Sequence, residues 1–325
     1  MSGKEKKAGC RVMSSSSNDF FKKCRKDVPM SRYTTFKVGG PADFFFIARS
    51  IKALKTAVEF ACSKKLPFFI LGGGSNILVC DCGIRALVIK NALKGIRLNK
   101  DGCTISVKSG EKLSRLLNFA AENNLGGLEF ASGIPGTVGG AICGNAGAYG
   151  RSVGDVLTGA LVMDRSGKII RVNRDYFNFQ YRFSSLKKTG NIVLEADLLL
   201  SARPCKDIRK EMDKIIEERR KKHPSCEWAC AGSYFKNVDP PSPGGRRIAA
   251  GYLLEKVGAK GMKVGRATVF PGHANFITNP GGATAAEILK LADILKNLVK
   301  KEFDIELKEE VMWVAQDGIL NPENA

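Results

Sequence analysis

The sequence has no apolar run approaching the roughly 18–20 residues that a membrane-spanning helix needs. It has ten cysteines in 325 residues but no Cys-x-x-Cys pair, so the cysteines form neither a redox motif nor a small disulfide framework. We therefore expect reduced thiols, a cytoplasmic location and no contact with a membrane. His223, Cys226 and Cys230 lie close together, but they lack the spacing of the usual structural zinc motifs, and we expect no metal.

Acidic residues are also scarce. Asp and Glu number 32 against 52 Lys and Arg, which gives a net charge of +20. Such a field raises the local concentration of anions. The sequence nevertheless carries no zinc-finger spacing, no aromatic RNA-binding motif and no basic helix fused to heptads. A nucleic-acid-binding protein thus remains the least favoured alternative, and phosphorylated small molecules are the favoured partners. The Lys-rich start is not followed by an apolar stretch, so we expect no secretory signal.

Glycine is abundant in one stretch, residues 131–150, where it takes seven of twenty positions and no residue is charged. At ordinary usage about five charges would be expected in twenty residues. Glycines let the backbone approach another object closely, and their exposed N–H groups can hold phosphates or a flat ring. The alternative is a tight turn between buried strands.

A second glycine-rich loop, GGGSN at 72–76, directly follows the apolar strand FFIL. This arrangement resembles a phosphate cradle, although it matches neither the dinucleotide fingerprint nor a Walker A loop. Both loops together would suit one dinucleotide ligand with a pyrophosphate and a ring system. We expect them to converge.

Apolar periodicity predicts an α+β fold with many short strands and a few helices. The predicted helices run from Ser50 to about Lys64, from about Lys112 to Asn124 with Gly126 as the stop, over about 206–222, over 249–261, and from the Thr284–Glu287 capping box to about Lys301. A last strand over 305–315 carries Glu309 and Glu310.

Eight segments together resemble one family. They are TTFKVGGPADF, LGGGSNIL, LEFASGIPGTVGGAICGNAGAYG, the pair Tyr181-Arg182, AGSYFKN, AGYLLEKVGAKG, GHANFITN and FDIELKEEV, in order from about residue 31 to 314. The chain in these segments is similar to the UDP-N-acetylenolpyruvoylglucosamine reductases, which are flavoproteins. Ser233 follows Arg182 by only 51 positions, which resembles the shorter form of the family. The longer form's inserted loop, with its substrate-covering tyrosine, is not expected here.

The resemblance implies an FAD-binding module of the type shared with p-cresol methylhydroxylase and vanillyl-alcohol oxidase over residues 27–203. A smaller α+β substrate domain would cover 204–315. Residues 1–26 would form a disordered basic tail and residues 316–325 a second tail.

The implied reaction reduces UDP-N-acetyl-3-O-(1-carboxyvinyl)glucosamine to UDP-N-acetylmuramate in peptidoglycan precursor synthesis. NADPH would reduce non-covalently bound FAD, and the flavin would pass the hydride to the enolpyruvyl C3. The partners are then the UDP-sugar and NADPH, and a monomer is expected. The alternative enzyme is another FAD-dependent oxidoreductase of the same fold, for which Cys143 would be the only candidate flavin-linking residue.

Three residues match the family's catalytic positions. Arg182 would stabilise the substrate carboxylate as it gains charge, and Ser233 would give a proton to C2. Glu310, selected because it immediately precedes Val311, would act on the enolate together with Arg182. The structural alternatives are a surface pair, a turn residue and a rim carboxylate, respectively.

The remaining implied contacts concern the ligands. Lys222, Asn237 and His273 would bind the UDP-sugar. The pyrophosphate of FAD would lie on the first glycine-rich loop, and the ring and ribityl chain on the second; the residues are Gly72, Gly73, Gly74, Ser75, Asn76, Ser132, Gly133, Ile134, Pro135, Gly136, Gly139, Gly140 and Gly147.

Overall fold

Short strands alternate with helices along the chain, as the apolar pattern predicts. The computed structural model describes residues 20–225, 227–240, 242 and 245–318. The strands are β1 (Arg25–Pro29), β2 (Pro41–Ala48), β3 (Phe68–Leu71), β4 (Ile77–Val79), β5 (Ile84–Asn91), β6 (Ile96–Leu98), β7 (Thr104–Lys108), β8 (Leu125–Gly126), β9 (Gly147–Ala148), β10 (Arg151–Ser152), β11 (Leu157–Met163), β12 (Ile169–Asn173), β13 (Ile192–Leu199), β14 (Ser201–Ala202), β15 (Lys263–Val264), β16 (Ala267–Val269), β17 (Ile277–Thr278) and β18 (Met312–Val314). The α-helices are α1 (Ile51–Ser63), α2 (Leu113–Glu122), α3 (Val138–Cys143), α4 (Leu186–Thr189), α5 (Cys205–Lys222), α6 (Ala250–Lys256) and α7 (Ala285–Phe303).

Two sheets and one helix build the first part of the molecule. The four-stranded sheet has the order β1-β2-β5-β3, with β2, β5 and β3 parallel. The five-stranded sheet is antiparallel, in the order β12-β11-β13-β7-β6. Helix α1 packs against both, because its buried face belongs to one hydrophobic core with Leu87 and Ile89 of one sheet and Met163 and Leu194 of the other. The first glycine-rich loop follows β3 and therefore lies at the edge of this layered core.

The C-terminal part has its own core, formed by α6, α7 and the three-stranded sheet β15-β16-β17. It is not a separate body, since Phe36, Val38 and Leu78 from the first part are buried in that core. Strand β18 also pairs in parallel with β4, with Met312 opposite Ile77. The segment before β18 is thereby fixed against the loop before β4.

The predicted helix starts are confirmed. The Ser50 side chain accepts a hydrogen bond from the Ala53 N–H, and Thr284 and Glu287 form both bonds of a capping box. Other expectations were wrong in detail. Helix α2 ends at Glu122 because the chain turns at Asn124 (φ +57°), not at Gly126, which pairs in β8. The final strand covers only Met312–Val314, so the paired glutamates precede it.

The predicted tails also need correction. The Phe20 side chain is buried and stacks on Phe60, and Arg25 pairs with Phe45 in the first sheet. Residues 20–26 therefore belong to the folded part, and residues 1–19 lie outside the described residues. At the other end the Gln316 carbonyl accepts a hydrogen bond from the Arg85 N–H, so the expected tail does not begin at 316. Residues 319–325 lie outside the described residues.

Helix α5 packs on a different core from the one expected. The expected substrate domain, 204–315, includes this helix, but Ile208 and Met212 are buried in the core formed around α2, α3 and the antiparallel sheet. The packing boundary between the two parts therefore falls after residue 222 instead of at residue 204. In the described part of the chain, no helix combines the length and the apolar character needed to cross a bilayer.

Candidate active site

The two glycine-rich loops contact each other. The Ser75 hydroxyl donates to the Pro135 carbonyl at 3.1 Å. A Cβ placed on Gly73 would lie 2.8 Å from the Cα of Gly136, which itself has φ +129°. Only two residues without side chains allow this approach. The expected convergence of the loops is thus present in the fold, and part of their glycine content serves it.

The residues expected to hold FAD line this junction, with two exceptions. Residues 72–76 connect β3 to β4, residues 132–136 precede α3, and Gly140 is exposed on α3. The space beside Gly139 is taken by Ser109, and the space beside Gly147 by the Arg151 carbonyl. These two glycines are explained by packing of the chain on itself.

Three buried polar atoms at this junction have no hydrogen-bond partner among the described residues: Ser132 Oγ, Arg182 Nε and Arg219 Nε. Buried polar atoms are normally paired, so a cluster of unpaired ones indicates a ligand that completes them. The Arg219 side chain lies against Gly133, where an added Cβ would be 2.9 Å from its Cδ. A cradle of exposed backbone with an unpaired hydroxyl and guanidinium beside it fits the ring and polar edge of a flavin.

Arg182 occupies a strained position in a tight turn. Gln180 and Phe183 exchange two backbone hydrogen bonds of 3.1 Å, and Arg182 between them has φ +55°. A turn with this backbone usually places glycine or asparagine there. An ordinary side chain in this conformation costs about 1–2 kcal/mol. Strain of this kind concentrates at functional sites.

The second glycine-rich loop holds both sides of that turn. The Asn145 Nδ2 donates to the Gln180 carbonyl at 2.9 Å, and the Ser184 hydroxyl donates to the Cys143 carbonyl at 2.7 Å. The segment that lines the flavin cradle therefore also sets the position of Arg182.

Glu310 reaches the same place from the C-terminal part. Its N–H donates to the Tyr234 carbonyl at 2.7 Å, and its own carbonyl accepts from Asn76 Nδ2 at 3.0 Å. Its Oε1 lies 2.6 Å from Arg182 Nε. At this separation the two groups form an ion pair. Arg182 Nε has no aligned hydrogen bond among the described residues, and the remaining donors of Arg182 are open to a ligand.

Ser233 lies next to Tyr234, and so within one residue of the backbone bond that fixes Glu310. It is half-buried and follows Gly232, which has φ +81°. Its hydroxyl makes no hydrogen bond within the described ranges of the chain. The structure thus brings Arg182 and Glu310 into contact, from the turn after β12 and the segment before β18, and it places Ser233 one residue from the backbone bond that holds Glu310.

Burial dominates the electrostatics of Glu310. It raises the pKa of the carboxyl above its usual value, and the nearby cations Arg182, Lys187 and Lys236 oppose that rise. Burial in turn lowers the pKa of the Lys187 ammonium, and the charge of Lys236 lowers it further. The site therefore holds a carboxyl with an increased proton affinity among three cations.

The two adjacent glutamates separate as expected. Glu309 lies 3.7 Å from Lys296 of α7, whereas Glu310 contacts Arg182. The segment is not a regular strand at this point, but Glu309 forms an isolated bridge with Phe235. The alternation of an extended backbone is enough to aim the two carboxylates apart.

The expected substrate residues fall in two places. Lys222 is exposed at the end of α5, and its charge helps to lower the pKa of both His223 and His273. The pKa of His223 falls to about 4, chiefly through burial, with Arg219, His273 and Lys222 adding to it. His273 Nδ1 accepts from the Asn275 N–H at 3.1 Å, which makes it a neutral acceptor at that nitrogen.

Asn237 lies close to the catalytic pair, because it contacts Tyr181, the residue before Arg182. Its N–H donates to the Tyr181 hydroxyl at 3.3 Å, and its Oδ1 accepts from the Ala250 N–H at the start of α6. Its side-chain amide nitrogen makes no hydrogen bond to any residue that the structure describes. Asn275 links the two places, because its side chain bonds both the N–H and the carbonyl of Phe235.

Sequence reasoning missed two residues of this site. Arg219 continues the buried stripe of Ile208, Met212 and Ile215, four residues after the last of them. An arginine at the next position of an apolar stripe is a usable signal, which the surrounding basic run concealed. Lys187 follows Arg182 by five residues, and nothing in the sequence pattern marks it.

Cys143, the only candidate for a covalent flavin link, is not activated. Burial raises the pKa of its thiol. Reactive cysteines instead have a lowered pKa. His223 and Cys230 of the suggested zinc cluster are described, but Cys226 lies outside the described residues; the described residues contain no group of three or more potential metal ligands.

Comparisons with known proteins cover nearly the whole chain. A family model described as FAD binding domain matches residues 42–173. A second, described as UDP-N-acetylenolpyruvoylglucosamine reductase, C-terminal domain, matches residues 223–314. The FAD-binding region followed by a C-terminal domain is thereby confirmed.

Individual relatives carry the same name. The UDP-N-acetylenolpyruvoylglucosamine reductase of Clostridium tetani is 43% identical over 291 residues, 89% of this chain and 92% of the relative. That of Caldanaerobacter subterraneus is 39% identical over 89% of this chain and 92% of the relative. The crystal structure of the Thermus caldophilus reductase aligns with a TM-score of 0.75 at 33% identity, over 89% of this chain and 99% of that one.

Proposed function

We propose how this chain carries out its reaction from one premise: it belongs to the UDP-N-acetylenolpyruvoylglucosamine reductases. It is thus an FAD-dependent oxidoreductase that uses NADPH to reduce UDP-N-acetyl-3-O-(1-carboxyvinyl)glucosamine to UDP-N-acetylmuramate, a step of peptidoglycan precursor synthesis. What remains to be assigned is the part played by each residue.

The cofactor is held by the two glycine-rich loops in this proposal. Bound there, FAD would supply the chemistry that passes a hydride from NADPH to the enolpyruvyl C3. Residues 72–76 offer backbone N–H groups to the pyrophosphate. The cradle at 132–136 and Gly140 lies beside the ring, with Ser132 and Arg219 as polar contacts. Their buried, unpaired atoms support these two assignments.

Arg182 and Glu310 act on the substrate carboxylate and the enolate. Hydride delivery to C3 adds negative charge to a group conjugated with that carboxylate. The guanidinium of Arg182 is always charged and its donors form a planar fork, which suits an anion whose charge grows during the step. Glu310, 2.6 Å away, orients the guanidinium.

Ser233 supplies the proton to C2. A serine hydroxyl is a weak acid in water, so this role requires close placement beside a strongly basic enolate. The hydroxyl is half-buried and has no competing hydrogen bond in the described part of the chain, which leaves it available to the substrate.

Lys222, Asn237 and His273 bind the UDP-sugar. Lys222 offers an exposed ammonium to a phosphate, and the side-chain nitrogen of Asn237 lies on the catalytic side, where its backbone contacts Tyr181. His273 is held as a neutral imidazole, so its other nitrogen can donate to a sugar or phosphate oxygen.

The proposal also covers the domain bounds, the oligomeric state and the location of the protein. The FAD-binding region runs from about the first strand to the end of α5, and the substrate domain from there to β18. The chain acts as a monomer, which sedimentation at several concentrations tests. It works in the cytoplasm, where NADPH and UDP-sugars are available, and cell fractionation tests that.

One observation supports the mechanism most directly: the Arg182 guanidinium and the Glu310 carboxyl, from distant parts of the chain, meet at 2.6 Å in a site that also holds the unpaired buried atoms Ser132 Oγ and Arg219 Nε. The test is an anaerobic titration followed by flavin absorbance. NADPH should bleach the bound flavin, and the enolpyruvyl UDP-sugar should restore its colour without oxygen.

Ser233→Ala separates the two halves of this cycle. Reduction by NADPH should keep its wild-type rate, because no proton from Ser233 is needed. Reoxidation by the UDP-sugar should slow about 10²- to 10⁴-fold, the usual contribution of a positioned acid. Equal reoxidation rates in variant and wild type would remove Ser233 from the mechanism.

A further inference from the structure

A half-buried lysine that the proposed reaction does not use contacts the backbone of Arg182. Lys187, in the short helix α4, donates from Nζ to the Arg182 carbonyl at 2.9 Å. The next residue, Lys188, is exposed and lies 5.4 Å from the centre of the Phe183 ring. The two neighbouring lysines thus have very different surroundings.

The position of Lys187 is costly. An ammonium group loses hydration when it is buried, and here two further cations, Arg182 and Lys236, lie close enough to act on it. Such a group persists only where its contacts compensate. Besides the Arg182 carbonyl, the charged or titratable groups around it are Glu310 and the Cys143 thiol.

The residue it bonds is the strained one. Arg182 has φ +55° in a turn that the Gln180–Phe183 backbone bonds close, and that Asn145 and Ser184 hold from either side. The direction of a carbonyl follows from the backbone angles on either side of it. A charged donor fixed on that carbonyl therefore opposes relaxation of the turn to an unstrained conformation, and relaxation would swing the Arg182 side chain away from Glu310.

We propose that Lys187 is a positioning residue for the reduction: by holding the Arg182 carbonyl it keeps the strained turn that presents the guanidinium to Glu310 and the substrate. The proposal rests on the function assigned to Arg182 above. Lys187 itself touches neither substrate nor flavin in this role.

The experiment compares Lys187→Met, Lys187→Arg and the control Lys188→Met in the flavin-loaded enzyme. Methionine keeps the apolar length of the side chain and removes the charged donor. We expect Lys187→Met to slow anaerobic reoxidation by the enolpyruvyl UDP-sugar about tenfold, the effect of losing one hydrogen bond from a charged donor. Reduction by NADPH and bound FAD should stay at wild-type levels, Lys187→Arg should recover most of the rate, and Lys188→Met should match wild type.

A double-mutant cycle with Arg182→Ala shows whether Lys187 acts through Arg182. In the Arg182→Ala background, Lys187→Met should cause no further slowing. Full additivity would overturn the proposal, and so would wild-type reoxidation by Lys187→Met alone or loss of FAD in that variant. Wild-type reoxidation by Arg182→Ala would instead refute the function assigned to Arg182.

Discussion

The two glycine-rich loops each hold one member of the Arg182–Glu310 pair, but they do so by different means. The first loop holds Glu310 through Asn76, whose side chain donates to the Glu310 carbonyl and whose own carbonyl accepts from the Met312 N–H at the start of a strand pairing. The second holds Arg182 through Asn145 and the Cys143 carbonyl, which bond residues on either side of the turn. One arrangement extends a sheet, and the other clamps a strained turn.

This difference indicates where the site is sensitive. Glu310 is fixed by backbone pairing on both sides, to β4 through Met312 and to Tyr234. Arg182 depends on individual side-chain bonds around a conformation that costs energy. Loss of one bond should therefore disturb Arg182 more than Glu310. The cofactor cradle and the catalytic pair are also one unit, since the same loops build both.

The largest expected effects come from replacing each of the two asparagines with alanine, one at a time. Asn145 is buried, has φ +43°, donates to Gln180 and accepts from the Gly154 N–H at 3.0 Å. Asn145→Ala leaves both partners unpaired, so we expect a loss of about 3 kcal/mol in the free energy of unfolding. Asn76→Ala removes one donor at a half-buried site and should cost about 1 kcal/mol. Urea unfolding of the apoproteins measures both.

The rates should follow the same order. Reoxidation by the UDP-sugar should fall further in Asn145→Ala than in Asn76→Ala, because only the former loosens the turn. Equal losses of stability and rate in the two variants would mean that both loops hold their partner equally firmly, contrary to the structure.

The sequence predicted the glycine-rich loops that form the FAD cradle better than it predicted the contacts that hold the Arg182 turn. Glycine content and the strand before residue 72 were enough to expect two loops converging on one ligand. The family motifs supplied Arg182, Ser233 and Glu310, and the structure brings those three segments together. Capping residues such as Ser50 and Thr284 gave the helix starts correctly, because a cap is a local property.

The rest depended on tertiary contacts that no local pattern records. Asn145 and Arg219 contact residues that are distant in the chain. Lys187 acts through a turn in which the positive φ falls on an arginine and not on a glycine. Helix α5 was assigned to the wrong core because amphipathic periodicity shows which face is buried but not what covers it. Ile294, which fits the apolar period of α7, is 38% exposed for the same reason.

The variant Gly73→Ala tests whether FAD binding depends on the close contact between the loops or on the backbone flexibility of glycine. In Gly73→Ala the new methyl group would lie 2.8 Å from the Gly136 backbone, so one loop must move. Overpacking of this kind costs about 1–3 kcal/mol, and we expect FAD affinity to fall about 10- to 100-fold. Quenching of flavin fluorescence on titration of the apoprotein gives the dissociation constant.

Gly144→Ala is the matched control for that variant. Gly144 ends α3 in an ordinary helical conformation (φ −85°), and its added Cβ would meet nothing closer than 3.5 Å. Its FAD affinity should equal that of the wild type. A similar loss of affinity in both variants would show that the cradle depends on glycine flexibility and not on the contact between residues 73 and 136.

The smallest expected effect comes from Lys90, which bonds the first glycine-rich loop, and it contrasts with that of Lys187, which bonds the Arg182 turn. Lys90 Nζ donates to the Gly72 carbonyl, as Lys187 does to Arg182, but no strained residue depends on it. Burial, and secondarily Lys94, lowers the pKa of Lys90. Between that lowered pKa and the ordinary value of about 10.4, the unfolded chain binds more protons than the folded one, so the free energy of unfolding rises with pH. Lys90→Met should remove this alkaline rise in the free energy of unfolding, which amounts to about a few tenths of a kcal/mol after solvent screening. Urea unfolding at about pH 8.5 and about pH 10 measures the difference.

Because Lys90 supports only an unstrained carbonyl, flavin reoxidation in Lys90→Met should stay close to wild type. A loss as large as that expected for Lys187→Met would mean that the ammonium matters equally to the first loop and to the Arg182 turn.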